Sequence, residues 1–158
     1  MTTIYTIGHS NHLMPDFLSL LQKNSIDTLV DIRSSPYSKH VPHFNKKPLQ
    51  ESVENTALTY TFLGDKIGGK PRSQEYYIDG EVNYNLLSKT LKFKEGIRQL
   101  ILLSRDQQIV LMCSEEDPYH CHRHHLIAPQ LLKKGIKVIH IRKDGTLEQV
   151  KDFQRTLF

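Results

Sequence analysis

Only two cysteines occur in the 158 residues, no apolar stretch approaches the length of a membrane span, and no internal repeat, low-complexity tract or linker interrupts the chain. Each scarcity narrows the answer. Residues 1–10 carry no basic region followed by an apolar segment, so a secretory signal is not expected and a cytoplasmic location is. In that compartment two cysteines are expected as thiols rather than as a structural disulfide. Without a long apolar run, no membrane partner is expected. Without repeats or linkers, residues 1–158 form a single domain, long enough to bury its own core. Charge of one sign is scarce too: 21 basic against 17 acidic residues leave a formal +4, which suits a phosphate-bearing partner without demanding one.

Against this ordinary background, residues 113–125 are unusual. They read Cys-Ser-Glu-Glu-Asp-Pro-Tyr-His-Cys-His-Arg-His-His and hold both cysteines and four of the nine histidines. They follow directly on the apolar run Ile109-Val110-Leu111-Met112, which reads as a buried strand. Solvation of a surface does not explain thiols, imidazoles, a guanidinium and carboxylates crowded at a strand end. If the chain has a reactive centre, it is here.

Elsewhere short β-type runs alternate with helical patterns. Residues 4–7, 28–32, 58–62, 109–112 and 137–141 read as strands. Pro15 opens a helix, where its missing N–H would be unpaired anyway, and Phe17, Leu18, Leu20 and Leu21 supply its apolar stripe. Prolines 36, 42 and 48 rule out a long regular element over residues 34–48. Residues 49–57 and 93–104 read as helices. A long helix is predicted from 118 or 119 to 134, capped by Gly135 in the left-handed conformation, with Pro129 forcing a kink or an interruption. Residues 64–70 read as a loop, 71–90 fit no element, and a short helix is expected after Gly145. Such alternation predicts an α/β fold of three layers, a mostly parallel sheet of about five strands with helices on both faces.

In open parallel sheets, ligands bind beyond the carboxyl ends of the strands. Those ends deliver Gly8, His9 and Ser10, then Asp31 and Arg33, then the loop with Lys66, then Cys113, Ser114 and Glu115, and last His140 and Arg142. Polar groups at every end predict a polar cleft. Asp117 is a good N-cap and Pro118 a good first helical residue, which places Cys121, His122 and Arg123 near a helix start. Free N–H groups and the dipole there lower a thiol's pKa, so Cys121 is the candidate thiolate. Cys113, ending an apolar strand before three carboxylates, is disfavoured as an anion and equally reads as a small core residue.

These residues compose a candidate site in which Cys121 is a nucleophile or ligand, and Glu115 or His9 is a general acid or base beside Asp31. Arg33 and Arg123 would grip an anionic group, with Ser10, Lys66 and His122 assisting. Asp31 and Arg33 fit a structural ion pair as well. Cys113, Cys121 and His122 also offer ligand types that suit zinc, although no Cys-x-x-Cys pair is present. Residues 36–47 mix basic and aromatic side chains and, with Lys66, Lys70 and Arg72, either track a nucleic-acid backbone or form a solvated loop.

Thr6-Ile7-Gly8-His9-Ser10, Val30-Asp31-Ile32-Arg33-Ser34-Ser35-Pro36, Leu63-Gly64-Asp65-Lys66-Ile67-Gly68-Gly69, Leu111-Met112-Cys113-Ser114-Glu115 and Cys121-His122-Arg123 together give a chain that resembles the family catalogued as domain of unknown function 488. The likeness covers almost the whole chain and implies an α/β fold but brings no settled activity, and it leaves the cofactor unknown. A more distant likeness is to rhodanese-type sulfurtransferases. Asp31-Ile32-Arg33 looks like their strand ending in Asp-x-Arg, and Cys113 looks like their catalytic cysteine. Where the rhodanese loop is a ring of amides around an anionic persulfide, this chain has Glu115, Glu116, Asp117 and Pro118, which would repel an anion.

Three functions follow as expectations. The first is an enzyme with a Cys/His/Arg/Glu cleft acting on a phosphate-bearing small molecule or a nucleic acid. The others are a non-catalytic nucleic-acid-binding module and a zinc-stabilised domain.

Overall fold

The aliphatic run Ile109–Cys113 is buried along its whole length and forms the centre of the fold. The structure, a computed structural model, describes residues 2–151. Its strands are β1 (Thr3–Gly8), β2 (Thr28–Asp31), β3 (Thr59–Phe62), β4 (Tyr77–Ile78), β5 (Glu81–Val82), β6 (Ile109–Cys113), β7 (Lys137–Ile141) and β8 (Leu147–Gln149). Six of them make one sheet in the order β3-β2-β6-β1-β7-β8, parallel except for β8, which runs antiparallel to β7. Gly8 pairs with Cys113 and Asp31 with Met112, so three strands deliver their carboxyl ends level with one another.

Helices cover both faces, as the alternation predicts. On one face α1 (Met14–Lys23) and α2 (Lys46–Glu54) seat Phe17, Leu21, Leu49 and Val53 against Leu29, Val110 and Met112. On the other, α3 (Gly64–Ile67), α4 (Tyr84–Ser88), α5 (Leu91–Asp106) and α6 (Ala128–Lys133) bring Ile67, Leu87, Phe93, Leu100 and Leu131 to Val30, Leu111 and Val138. Full burial of Phe17, Phe44 and Phe93 contributes roughly 1.5–3 kcal/mol each relative to exposure. No helix among the described residues is long and apolar enough to cross a membrane.

The sheet has one strand more than the expected five. Asp144-Gly145 is a hairpin turn, with Gly145 at φ 89° and Arg142 N–H bonded to the Thr146 carbonyl at 2.8 Å, and it returns β8 along β7 where a helix was expected. The rest of that expected helix lies outside the described residues. Residues 64–70 are not all loop, since Gly64–Ile67 make the short α3. Residues 71–90 contain a 3-10 turn, a β4–β5 hairpin closed by Asp79 and Gly80 at positive φ, and α4, whose Asn83 cap accepts the N–H of Leu86 at 3.1 Å. Pro48 is tolerated because it falls in the first turn of α2, which starts at Lys46.

Candidate active site

Beyond β6 the chain must cross the end of β1, and Gly8 permits it. A Cβ there would stand 1.7 Å from the Glu115 carbonyl oxygen. Asp117 then caps the next turn, accepting the N–H of Tyr119 at 2.9 Å, but the helix it starts lasts only from Pro118 to His120. Cys121 is extended, at φ −136° and ψ 148°. Helix resumes at His122, widens into a π turn over Arg123–Ile127 and continues as α6. The helix predicted from 118 or 119 to 134, with a kink or interruption at Pro129, is therefore corrected to three pieces, the break at Cys121 being the unexpected one. Pro129 has no N–H for the carbonyl of His125, and a wider turn, in which Ala128 N–H reaches back to Arg123, carries the chain past it.

This break makes Cys121 a helix cap. Its carbonyl accepts the N–H groups of His124 and His125 at 3.2 and 3.3 Å, and its Sγ receives the N–H of Arg123 at 3.5 Å. That is the capping pattern with sulfur in place of oxygen. The Cys121 Sγ lies 2.7 Å from Cys113 Sγ and 3.6 Å from His122 Nδ1. Both cysteines are buried, and neither is in a disulfide. The hydrogen bond from Cys113 pushes Cys121 far below the usual thiol range; His122 and Arg123 add to it, against the opposing effect of burial. Burial pushes Cys113 well up, and so do its hydrogen bond to Cys121 and the charge there.

Arg123 is fully buried, and its donors already have protein partners. Nε donates to Thr6 Oγ1 at 3.1 Å, Nη1 to the Glu115 carbonyl at 2.6 Å and to Cys113 Sγ at 2.7 Å, and Nη2 to the Glu116 carbonyl at 2.9 Å. In this arrangement Arg123 holds the loop after β6 and sets a positive charge beside the thiols. Thr6 and His140 are register partners across β1 and β7, and Thr6 Oγ1 lies 2.5 Å from His140 Nδ1. His140 Nε2 is in turn 3.0 Å from His124 Nδ1. Because Arg123 can only donate, every group is satisfied when Thr6 donates to His140 and His140 donates to His124. Burial and the charge of Arg123 lower His140 to about 3, so this ring is neutral.

His9, Asp31 and Arg33 gather on the opposite face. Asp31 accepts Nε and Nη2 of Arg33 at 2.9 Å each, and the Tyr60 hydroxyl at 2.6 Å. Arg33 Nη1 donates to His9 Nε2 at 3.3 Å, while His9 Nδ1 donates to the Ser10 carbonyl at 2.8 Å. His9 stacks on Phe44 with centroids 4.6 Å apart, and burial lowers its pKa to about 4. Burial and Asp31 push the Tyr60 phenol up. Alternation along the strand is the reason for the split: Asp31 points with Leu29, while Cys113 points with Leu111 and Val30. The single cleft expected from the strand ends is therefore two clusters, and Asp31–Arg33 is a buried, satisfied ion pair.

One side chain reaches from the thiols to the backbone just beyond β2. His122 Nε2 lies 3.0 Å from the Ile32 carbonyl, and Gly69 makes room, since a Cβ there would meet the ring at 2.6 Å. Over the thiols lies the segment that fits no element from sequence. Tyr76, Val82 and Tyr84 pack against the core that includes Cys113 and Cys121, and α4 rests on the π turn. Tyr84 is pushed up by its own burial and by the charge of the sulfurs beneath it. Of the remaining expected residues, Lys66 pairs with Glu95 at 3.0 Å, Ser10 is part-exposed beside Asn11, and Glu115 turns its carboxyl to solvent while its carbonyl serves the site.

The zinc alternative is also corrected. No group of three ligands among the described residues is arranged to hold a metal. The two sulfurs stand 2.7 Å apart, whereas thiolates sharing a tetrahedral zinc would be separated by about 3.8 Å. A surface groove of about 610 Å³ runs between β3 and α5 beside Phe62, Gln99 and Leu102, away from the thiols.

The profile of the family described as Domain of unknown function DUF488 matches residues 14–128, well over half of the chain. No curated protein and no solved structure matches.

Proposed function

From the premise that the chain belongs to the DUF488 family, we propose that it is an enzyme whose nucleophile is the Cys121 thiolate and whose substrate carries a phosphate, as a nucleotide or nucleic acid does. The unequal thiol pair carries this proposal. Cys121 has the cap N–H, the Cys113 S–H and His122 on its sulfur, whereas Cys113 is kept protonated by its burial. His122 completes the activation. With Nε2–H given to the Ile32 carbonyl, Nδ1 faces the Cys121 sulfur at 3.6 Å, placed to exchange a proton with it.

The substrate class rests on charge at the same rim. Ser34 Oγ accepts the N–H of Lys70 at 2.8 Å, which ties the loops after β2 and β3 together next to Gly69 and His122. From those loops Lys39, His40, Lys70 and Arg72 are exposed, and so is Tyr37 at 66%, a stacking surface for a base. Glu115 is the solvent-facing carboxyl nearest the thiols in sequence and serves as the general acid or base. Persulfide transfer on rhodanese lines would use Cys113, whose burial and raised pKa favour Cys121 instead.

Alkylation by iodoacetamide at pH 5, mapped by mass spectrometry, tests the nucleophile. Cys121 should react about tenfold faster than glutathione, because at that pH a free thiol is almost wholly protonated. A rate equal to glutathione's rejects the assignment. Fluorescence anisotropy with a labelled single-stranded oligonucleotide tests the class. Binding should weaken steeply with salt and again in the Lys70→Ala/Arg72→Ala double variant. No binding at low salt removes the nucleic acid from the proposal.

A further inference from the structure

We propose that Cys121 and Cys113 form a two-electron couple, closed to a disulfide by a small hydroperoxide and reopened by an external dithiol. It rests on Cys121 being the nucleophile, but adds a second reaction to it. The sulfurs are already 2.7 Å apart, and a disulfide needs about 2.05 Å, so closure requires a shift of several tenths of an ångström and no rearrangement of the sheet. Cys121 lies in the extended link between the 3-10 turn and the helix, and a shift of its side chain leaves its carbonyl on the N–H groups of His124 and His125. Size selects the oxidant. Both cysteines are at most 4% exposed and lie under Tyr84 and α4, so a reagent of a few atoms reaches them where a bulky disulfide does not.

The steps balance. The Cys121 thiolate attacks one oxygen of the hydroperoxide, the O–O bond breaks, and the departing alkoxide takes a proton from solvent to leave as an alcohol, or as water from hydrogen peroxide. Cys121 is then a sulfenic acid. Cys113 loses its proton to the departing hydroxide, its sulfur attacks Cys121, the S–O bond breaks and water leaves. Arg123 Nη1, 2.7 Å from Cys113 Sγ, stabilises the attacking sulfur as its proton goes. The peroxide is reduced by two electrons and the thiol pair oxidised by two. An external dithiol returns both by thiol–disulfide exchange and becomes a disulfide itself.

The test treats the full chain with one equivalent of hydrogen peroxide and reads its intact mass without reductant. Wild type should lose the mass of two hydrogens and both titratable thiols, and dithiothreitol should restore them. Cys113→Ser should stop at a sulfenic acid on Cys121 that dimedone traps. Wild type that keeps both thiols, or that gains oxygen on Cys121 as fast as the variant does, overturns the proposal, and the wild-type reading needs no variant to fold. If iodoacetamide finds a fast Cys121 but peroxide closes no disulfide, only the redox couple fails. If neither reagent reacts, the nucleophile assignment fails with it.

Discussion

The Nε2 of His122 stands 3.0 Å from the carbonyl oxygen of Ile32, and this bond ties the cysteine turn to the strand that carries Asp31. The two clusters share no side-chain hydrogen bond among those of Cys113, Cys121 and Arg123 on one face and Asp31 and Arg33 on the other. His122 reaches across at the rim, while its other nitrogen faces the Cys121 sulfur. Ring position and thiol reactivity are thereby linked.

Replacing Cys113 by Ala should therefore change the pH profile of Cys121 alkylation. The Cys113 hydrogen bond is the largest influence holding Cys121 low. Without it the pKa rises, and the rate at pH 5 falls about tenfold for each unit by which the pKa exceeds the pH. At pH 9, where the thiolate persists, little changes. An unaltered profile would mean that Cys113 does not share the proton.

Gly8→Ala and Gly69→Ala should differ in kind. At Gly8 the new methyl meets backbone, the Glu115 carbonyl, and urea denaturation should show a loss of about 3 kcal/mol or more. At Gly69 it meets a side chain rather than backbone, the Cγ and Cβ of His122 at 2.6 and 2.7 Å, so the His122 side chain must be displaced. Stability should fall less, about 1–2 kcal/mol, while Cys121 alkylation at pH 5 slows. Equal losses with unchanged alkylation would contradict the role given to His122.

The buried ion pair gives a graded series. Asp31→Ala leaves Arg33 buried without its partner and should lower stability by about 3–5 kcal/mol. Tyr60→Phe removes one donor to a charged acceptor and should lower it by about 1.5–3 kcal/mol. Denaturant midpoints measured at unchanged slope check both.

Acid should weaken the fold between about pH 6.5 and 4. His9 and His140 have pKa values lowered to about 4 and about 3, so over that window the unfolded chain binds protons that the folded chain refuses. Their contribution is complete above pH 6.5 and disappears as pH falls towards the folded values. Each adds a slope of up to about 1.4 kcal/mol per pH unit. In an NMR titration the His140 ring should stay neutral from pH 7 to pH 5; titration near 6.5 would refute its burial against Arg123.

Much of this architecture was legible in the sequence. Ile109 to Met112 announced a central buried strand, and Asp117-Pro118 announced a turn start that is present. Two things were not legible. The sides taken by Asp31 and Cys113 depend on the register of β2 against β6, where Asp31 pairs with Met112, and no local pattern carries that register. Nor does cysteine signal a cap, so the break at Cys121 was hidden inside what reads as one helix. The strands β4, β5 and β8 are two or three residues long, too short for periodicity to declare, so the hairpins they make were not read from the sequence.

The flap formed by the β4–β5 hairpin and α4 is anchored by few buried side chains, Leu87 chief among them, and its short ladders offer little cooperative resistance to opening. Its amides should exchange with solvent long before those of β6. On the chemistry proposed above, a reagent must pass this cover to meet the sulfurs, so protection of its amides and reactivity of the thiols should change together.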